Sequence, residues 1–264
     1  MSELETPPIM LPTSLVEGVE ATACSALGIT RLRHRSALRL MQGLDNTDLP
    51  DIVYGAVSRN WALGRAIENK NRSRQNWRWT LQPQIGAANR SAEVVLERAI
   101  ARACERTGRS DWANQVPVAS GLVKGAADGR RAIDLIQRRA PDRYEIIELK
   151  IASDTPLYAT VELLGYASLW LLARQDPPQT EPDILKADDI DLRVLAPPAF
   201  YAPFNLVELE ESVDRGVRLL GEKHQVRLNF AFDVLPASLV EGPLPSGSEL
   251  LKEVAARVPL HRVS

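Results

Sequence analysis

The sequence predicts an α/β fold: a mixed central sheet flanked by helices, with an extension on each side of the core. Three observations carry this. Apolar residues recur at helical spacing in "SAEVVLERAIARACERTG" and "TPLYATVELLGYASLWLLARQ". Strand-like apolar runs lie between and after these segments, and Ala140, Pro141 and Asp142 punctuate two of the runs as a hairpin turn. From Ser91 to Phe200 the order is helix, three strands, helix, strand.

Taken along the chain, residues 1 to about 14 read as a tail, because Pro7, Pro8 and Pro12 break any regular element. "SALRLMQGL" suits a short helix ending at Gly43, and "LPDIVYGAVSRNWALGRAIE" a longer one starting after Pro50. "NWRWTLQP" alternates as a strand does. Ser91 can cap the next helix and Gly108 can close it. "QVPVASGLV", "RRAIDLIQRR" and "RYEIIELKIA" read as three strands, with "GLVKGAADGRR" as the loop between the first two. The long helix after them stops at "DPPQTEP". "IDLRVLAPPAF" is then a strand, "LVELEESVDRGVRLLGEKH" a helix, "QVRLNFAFDVL" a strand and "SELLKEVAARV" a last helix. Three regions follow: residues 1–90 as an N-terminal extension, 91–200 as the core, and 201–264 as a C-terminal helix-strand extension packing on that core.

The chain has 264 residues, 45% of them hydrophobic, enough to bury a proper core. Cys24 and Cys104 match no disulfide or metal-ligand spacing and read as packing residues, which agrees with a reducing compartment. The first residues lack a signal peptide's basic start and apolar run, and no stretch has eighteen uninterrupted apolar residues. A cytoplasmic protein with no membrane partner is the expectation. His34, His224 and His261 are isolated, and no phosphate loop, dinucleotide fingerprint or Ser-His-Asp arrangement stands out.

A net charge of −2 conceals a basic window. Between Arg59 and Arg90 stand six arginines and one lysine against Glu68 alone, with Trp61, Trp77 and Trp79 among them. Arginine forks suit phosphate and indoles suit stacking, so Arg72, Arg74, Arg78, Trp77 and Trp79 are candidates for nucleic-acid binding. The same pattern would arise from a solvated arginine-rich surface whose tryptophans anchor it to the core.

The chemistry concentrates in "AIDLIQRRAPDRYEIIELKIA", Ala132 to Ala152. Strand side chains alternate faces, so Glu148 and Lys150 share one, and the hairpin can bring Asp134 beside Glu148. Two adjacent carboxylates repel unless a cation lies between them. A divalent metal meets that need: Mg²⁺ takes oxygen ligands, accepts one or two carboxylates and keeps several waters. Such a cation can activate water for attack on phosphorus while a lysine stabilises the charge that develops. An exposed edge-strand pair, with Asp134 in a plain cross-strand bridge to Lys150, would look the same in sequence.

Asp134, "IIELK" from Ile146 to Lys150 and the surrounding element order resemble the PD-(D/E)xK nuclease superfamily over residues 91 to 200. Ile133 stands where the family's strict form has proline. The resemblance implies a restriction-endonuclease-like core, Mg²⁺ or Mn²⁺ held by Asp134 and Glu148, and a catalytic Lys150. It implies further an acidic helper on the preceding helix, Glu97 or Glu93, and a supporting pair on the following helix. That pair is Glu162 and Tyr166 here, with Glu where the family carries Gln. The implied activity is a Mg²⁺-dependent deoxyribonuclease hydrolysing phosphodiester bonds; the implied partner is nucleic acid, above all DNA, with a homodimer left open. A catalytically inactive nuclease-fold module that binds nucleic acid or acts as a scaffold is the alternative, and an RNA- or nucleotide-directed hydrolase of the same fold is a third.

Overall fold

The structure, a computed structural model, describes residues 12–40, 44, 47–66, 75–118 and 131–261. It is α/β, built on a six-stranded mixed sheet in the order β1-β2-β3-β4-β5-β6. Strands β1 (Trp112–Val118), β2 (Arg131–Ala140) and β3 (Arg143–Leu149) form an antiparallel meander. Helix α5 (Pro156–Gln175) then crosses to β4 (Asp189–Ala196), which lies parallel to β3. A single helical turn, α6 (Pro198–Tyr201), precedes α7 (Val207–Lys223), which crosses to β5 (Arg227–Val234), parallel to β4. Strand β6 (Val258–Pro259) pairs briefly with the end of β5.

The core is split by the sheet. On one face α1 (Val19–Ala26), α3 (Leu49–Ala66), α5 and α7 pack over Ile136, Ile146, Leu192 and Phe232. On the other, α4 (Ala92–Thr107) and α8 (Ser248–Ala255) cover Leu135, Ile147, Leu149 and Leu195. Most of α5 is buried: it is apolar and long enough to cross a membrane, yet 94% of its apolar window lies inside the fold. It serves as the central core helix. Its ends are specified locally: the Thr155 side chain accepts the Tyr158 amide, Pro156 occupies the first turn, and "DPP" prevents continuation. Ser91 and Gly108 bound α4 as the sequence predicts, with Gly108 left-handed at φ 67°.

Several expectations need correction. The 201–264 region, expected as a helix-strand extension packing on the core, contributes β5 and β6 to the central sheet, β5 pairing along its full length with β4. "NWRWTLQP" forms turns and irregular backbone, with Trp77 at φ 60°, and touches β1 only through scattered bonds such as Trp77 N–H to Pro117 O at 2.7 Å. The first strand begins at Trp112, three residues before the predicted start, and all of the "GLVKGAADGRR" loop except Arg131 lies outside the described residues. The short helix α2 (Ala37–Leu40) occupies part of "SALRLMQGL", while Gly43 is outside them.

Where α7 meets β5, only glycine fits. A Cβ on Gly221 would lie 2.7 Å from the Val226 carbonyl oxygen and 3.1 Å from the Leu228 nitrogen, both backbone atoms that cannot swing aside. Gly221→Ala is therefore expected to lower stability by about 1–3 kcal/mol, read as a shift in the urea midpoint at unchanged m-value.

Candidate active site

The register Leu135 opposite Ile147 puts Asp134 beside the end of β3. There the Asp134 side chain takes over a backbone role: Leu149 N–H donates to its Oδ2 at 3.0 Å. Glu148 projects from the same stretch and is 4% exposed; Lys150, just past the strand, is 7% exposed. Lys150 Nζ lies 2.7 Å from Glu148 Oε1, 2.9 Å from Glu162 Oε2 on α5, and 3.8 Å from Asp154 Oδ2. Glu162 also receives Arg131 Nη1 at 3.2 Å. Asp134, Glu148, Lys150 and Glu162 thus meet at one point under the first turns of α5.

The electrostatics follow from crowding. Burial, then the neighbouring charges of Asp134 and Glu162, push Glu148 well above the usual carboxylate range, against the pull of Lys150. Burial lifts Asp134 to about 6, opposed by the Leu149 amide and Lys150 and assisted by Glu162 and Glu93. Burial would neutralise Lys150, but Glu148 and Glu162 overturn it and hold the ammonium charged. Glu148 Oε2 is buried with no hydrogen-bond partner among the described residues. A buried carboxyl oxygen without a hydrogen-bond partner is costly.

The two helix glutamates have different surroundings. Glu97 is 2% exposed and held by Asn114 Nδ2 at 2.8 Å and Gln115 Nε2 at 3.1 Å. Burial raises its pKa to about 7, the Asp134 charge adding to the rise and the two amides limiting it. Gln115 is at φ 46°, a strained value that turns the strand where it passes Asp134. Glu93 instead clamps the loop after Lys150: its Oε1 accepts the amides of Ile151 and Ala152 at 3.1 Å and of Ser153 at 3.3 Å, and the Ser153 hydroxyl at 3.1 Å. Burial opposes its ionisation, but these amides prevail and hold Glu93 at about 2. Its position is that of a loop anchor, and Tyr166 is similarly structural, its hydroxyl donating to Ala132 O at 3.1 Å to tie α5 to β2.

Because Glu93 ionises more readily folded than unfolded, its contribution is fully present above its ordinary value of 4.5 and lost as pH falls toward 2. Glu93→Gln is expected to cost about 1.5–3 kcal/mol at neutral pH. In urea titrations across pH, the gap between the two proteins should close on the acid side.

The predicted nucleic-acid residues separate. Arg72 and Arg74 lie outside the described residues. Trp77 is 0% exposed and cannot offer a stacking face. Trp79 is half-buried, its indole donating to Ser110 O at 3.1 Å and its ring edge-on to Tyr144 at 5.5 Å. Arg78 is exposed, with a guanidinium bond to Gln75 at 2.9 Å. Both tryptophans thus serve packing, because aromatic area is worth more in the core than on a flat basic surface.

Sequence reading passed over Asp154, Arg33, Tyr158, Asn114 and Gln115. Arg33 Nη1 is 2.6 Å from Asp154 Oδ1, its guanidinium stacks 3.7 Å above the Tyr158 ring, and its Nη2 bonds the Tyr158 hydroxyl. Only Asp154, four residues after Lys150, carried a local signal. Among the described residues, no group of three or more His, Cys, Asp or Glu side chains is arranged to hold a metal ion. The acidic pair is the available donor set, and it suits a hard cation that keeps most of its water. Comparison of the chain with protein-family models, curated proteins and solved structures gives no match.

Proposed function

We propose that this chain is a metal-dependent nuclease with a restriction-endonuclease-like core of the PD-(D/E)xK kind, hydrolysing phosphodiester bonds in DNA. One observation carries the reading: Asp134, Glu148 and Lys150 converge while Glu148 keeps a buried oxygen unpaired. Asp134 and Glu148 would hold Mg²⁺ or Mn²⁺. When bound, such an ion supplies positive charge to a phosphate and acidifies water. The protein's own part is positioning. The Leu149 amide fixes the Asp134 carboxylate, and the Glu93 clamp fixes the loop that follows Lys150. Glu148 and Glu162 hold the Lys150 ammonium charged, and we read that charge as available to an anionic phosphate.

A second reading, an inert nuclease-fold module, is favoured by the Lys150 contact that already neutralises one Glu148 oxygen and by the lack of a third close ligand among the described residues. Purified protein incubated with plasmid and linear DNA, with Mg²⁺ or Mn²⁺, tests the choice beside Asp134→Ala and Lys150→Ala. Metal-dependent cleavage lost in both variants supports the nuclease. Cleavage persisting in both would remove it, and no heat of Mn²⁺ binding at millimolar metal would favour the inert module.

A further inference from the structure

The basic window expected to bind nucleic acid has its tryptophans packed away, yet a second basic segment sits at the site itself. From Ala21 to Leu44 the chain carries no acidic residue, and within it Arg31, Arg33, His34, Arg35 and Arg39 are all exposed. This segment is fixed in place. Buried Leu32 anchors it, and Leu32 O accepts the Thr155 hydroxyl at 2.7 Å, the same hydroxyl that caps α5. Arg33 then reaches Asp154 at 2.6 Å, and Asp154 faces Lys150 at 3.8 Å. The turn continues through Ala37 N–H to His34 O at 2.8 Å into α2.

A charged surface along the sheet has a different character. Along β3, β4 and β5, Arg143 and Arg193 pair with Asp191 at 2.7 and 2.9 Å, and Arg227 pairs with Asp189 at 3.2 Å. Arg218 on α7 likewise pairs with Asp214 at 2.8 Å. Those cations are consumed internally. Arg31, Arg35 and Arg39 have no ion-pair partner among the described residues, so their field is directed at solvent.

We infer that residues 31–39 form a strap that seats the sugar-phosphate backbone of DNA beside the Asp134–Glu148–Lys150 site, with Arg31, Arg35 and Arg39 contacting phosphates. The inference rests on the nuclease reading for its choice of polyanion. Exposed arginines without ion-pair partners give sequence-independent, salt-sensitive affinity, since each phosphate contact releases counterions. Arg33, committed to Asp154 and Tyr158, links the strap to the site.

The test is fluorescence anisotropy of a labelled duplex of about 30 base pairs, and of its single strand, without divalent metal, from about 50 to about 200 mM salt. The full chain is compared with a triple variant, Arg31→Gln, Arg35→Gln, Arg39→Gln, with the same three positions changed to Lys, and with Arg218→Gln on α7, whose cation is paired with Asp214. For the triple Gln variant, affinity at the lowest salt should fall at least about tenfold and the log–log salt slope should shrink by about 3. The lysine variant should keep the slope, and the α7 variant should bind as the parent does. Unchanged binding by the triple Gln variant, an equal loss in the α7 variant, or no binding by the parent would overturn the strap. A separate cleavage assay with Mn²⁺ keeps the two readings apart: strap-dependent binding without cleavage removes the nuclease and leaves the strap, while cleavage with strap-independent binding does the reverse.

Discussion

Asp134→Asn should abolish the proposed DNA hydrolysis, lowering the single-turnover rate by about a thousandfold or more, close to 4 kcal/mol of transition-state stabilisation. The fold should survive, because asparagine's amide oxygen can still accept the Leu149 N–H that Asp134 Oδ2 accepts at 3.0 Å. What disappears is the charge that would hold a cation against Glu148. The same change has a pH signature that a packing defect would lack. Burial raises Asp134 to about 6, above its ordinary 3.8, so the folded state binds its proton more tightly than the unfolded chain. Stability attached to that proton is complete below about 4 and is lost as pH rises through about 6. The asparagine variant lacks that loss, so its stability profile should be flatter across this interval, and Glu148, relieved of a like charge, should ionise more easily. Rapid-quench kinetics and urea titrations at both ends of the interval measure the two effects. A variant that keeps a rate within tenfold of the parent would exclude Asp134 as a cation ligand.

Local chemistry was readable where one residue decides the outcome. Ser91 and Gly108 bound α4, and Ala140, Pro141 and Asp142 turn β2 into β3, because caps and tight turns are set by their own side chains and dihedrals. Parallel pairing is not local. β5 looked like part of an extension because nothing in "QVRLNFAFDVL" states that it will lie against β4, more than thirty residues earlier. Asn114 was passed over for the same kind of reason, since an amide inside a strand reads as a weak position until Glu97 is seen bonded to it. Trp77 shows the opposite failure: alternation suggested a strand and the basic surroundings a stacking residue, while the indole's apolar area drew it fully inside at a left-handed backbone angle, as the core-anchor alternative has it. At the site, the Asp134 and Glu-x-Lys pattern was visible in one stretch, with Asp154 four residues beyond Lys150, whereas Arg33 joins it only through a contact with Asp154 spanning 121 residues.

Lys150→Met should destabilise the protein more than any other single change at the site, by about 3–5 kcal/mol, because removing one partner of a buried ionic cluster leaves the others uncompensated. Methionine nearly matches the volume of lysine, so cavity formation contributes little. The loss is electrostatic: Glu148 Oε1 and Glu162 Oε2 lose a cation at 2.7 and 2.9 Å, and Glu148 Oε2 already lacks a partner. Two consequences separate this cause from poor packing. Glu148 and Asp134 already sit above their ordinary values, and without the ammonium they rise further. Their protonation at acid pH removes the repulsion, so the deficit should be largest above neutrality and shrink as pH falls toward 5. Mn²⁺ should also raise the melting temperature of the methionine variant more than that of the parent, because an ion bound only by the folded state adds stability through mass action and here restores the missing charge. Thermal melts across pH, with and without Mn²⁺, give both readings. If the variant melts with the parent at every pH, the ammonium contributes no net stability and the carboxylates are already protonated or solvated in the resting protein. If it melts lower by the same margin everywhere and ignores Mn²⁺, the defect lies in packing, and Asp134 and Glu148 do not form a cation site.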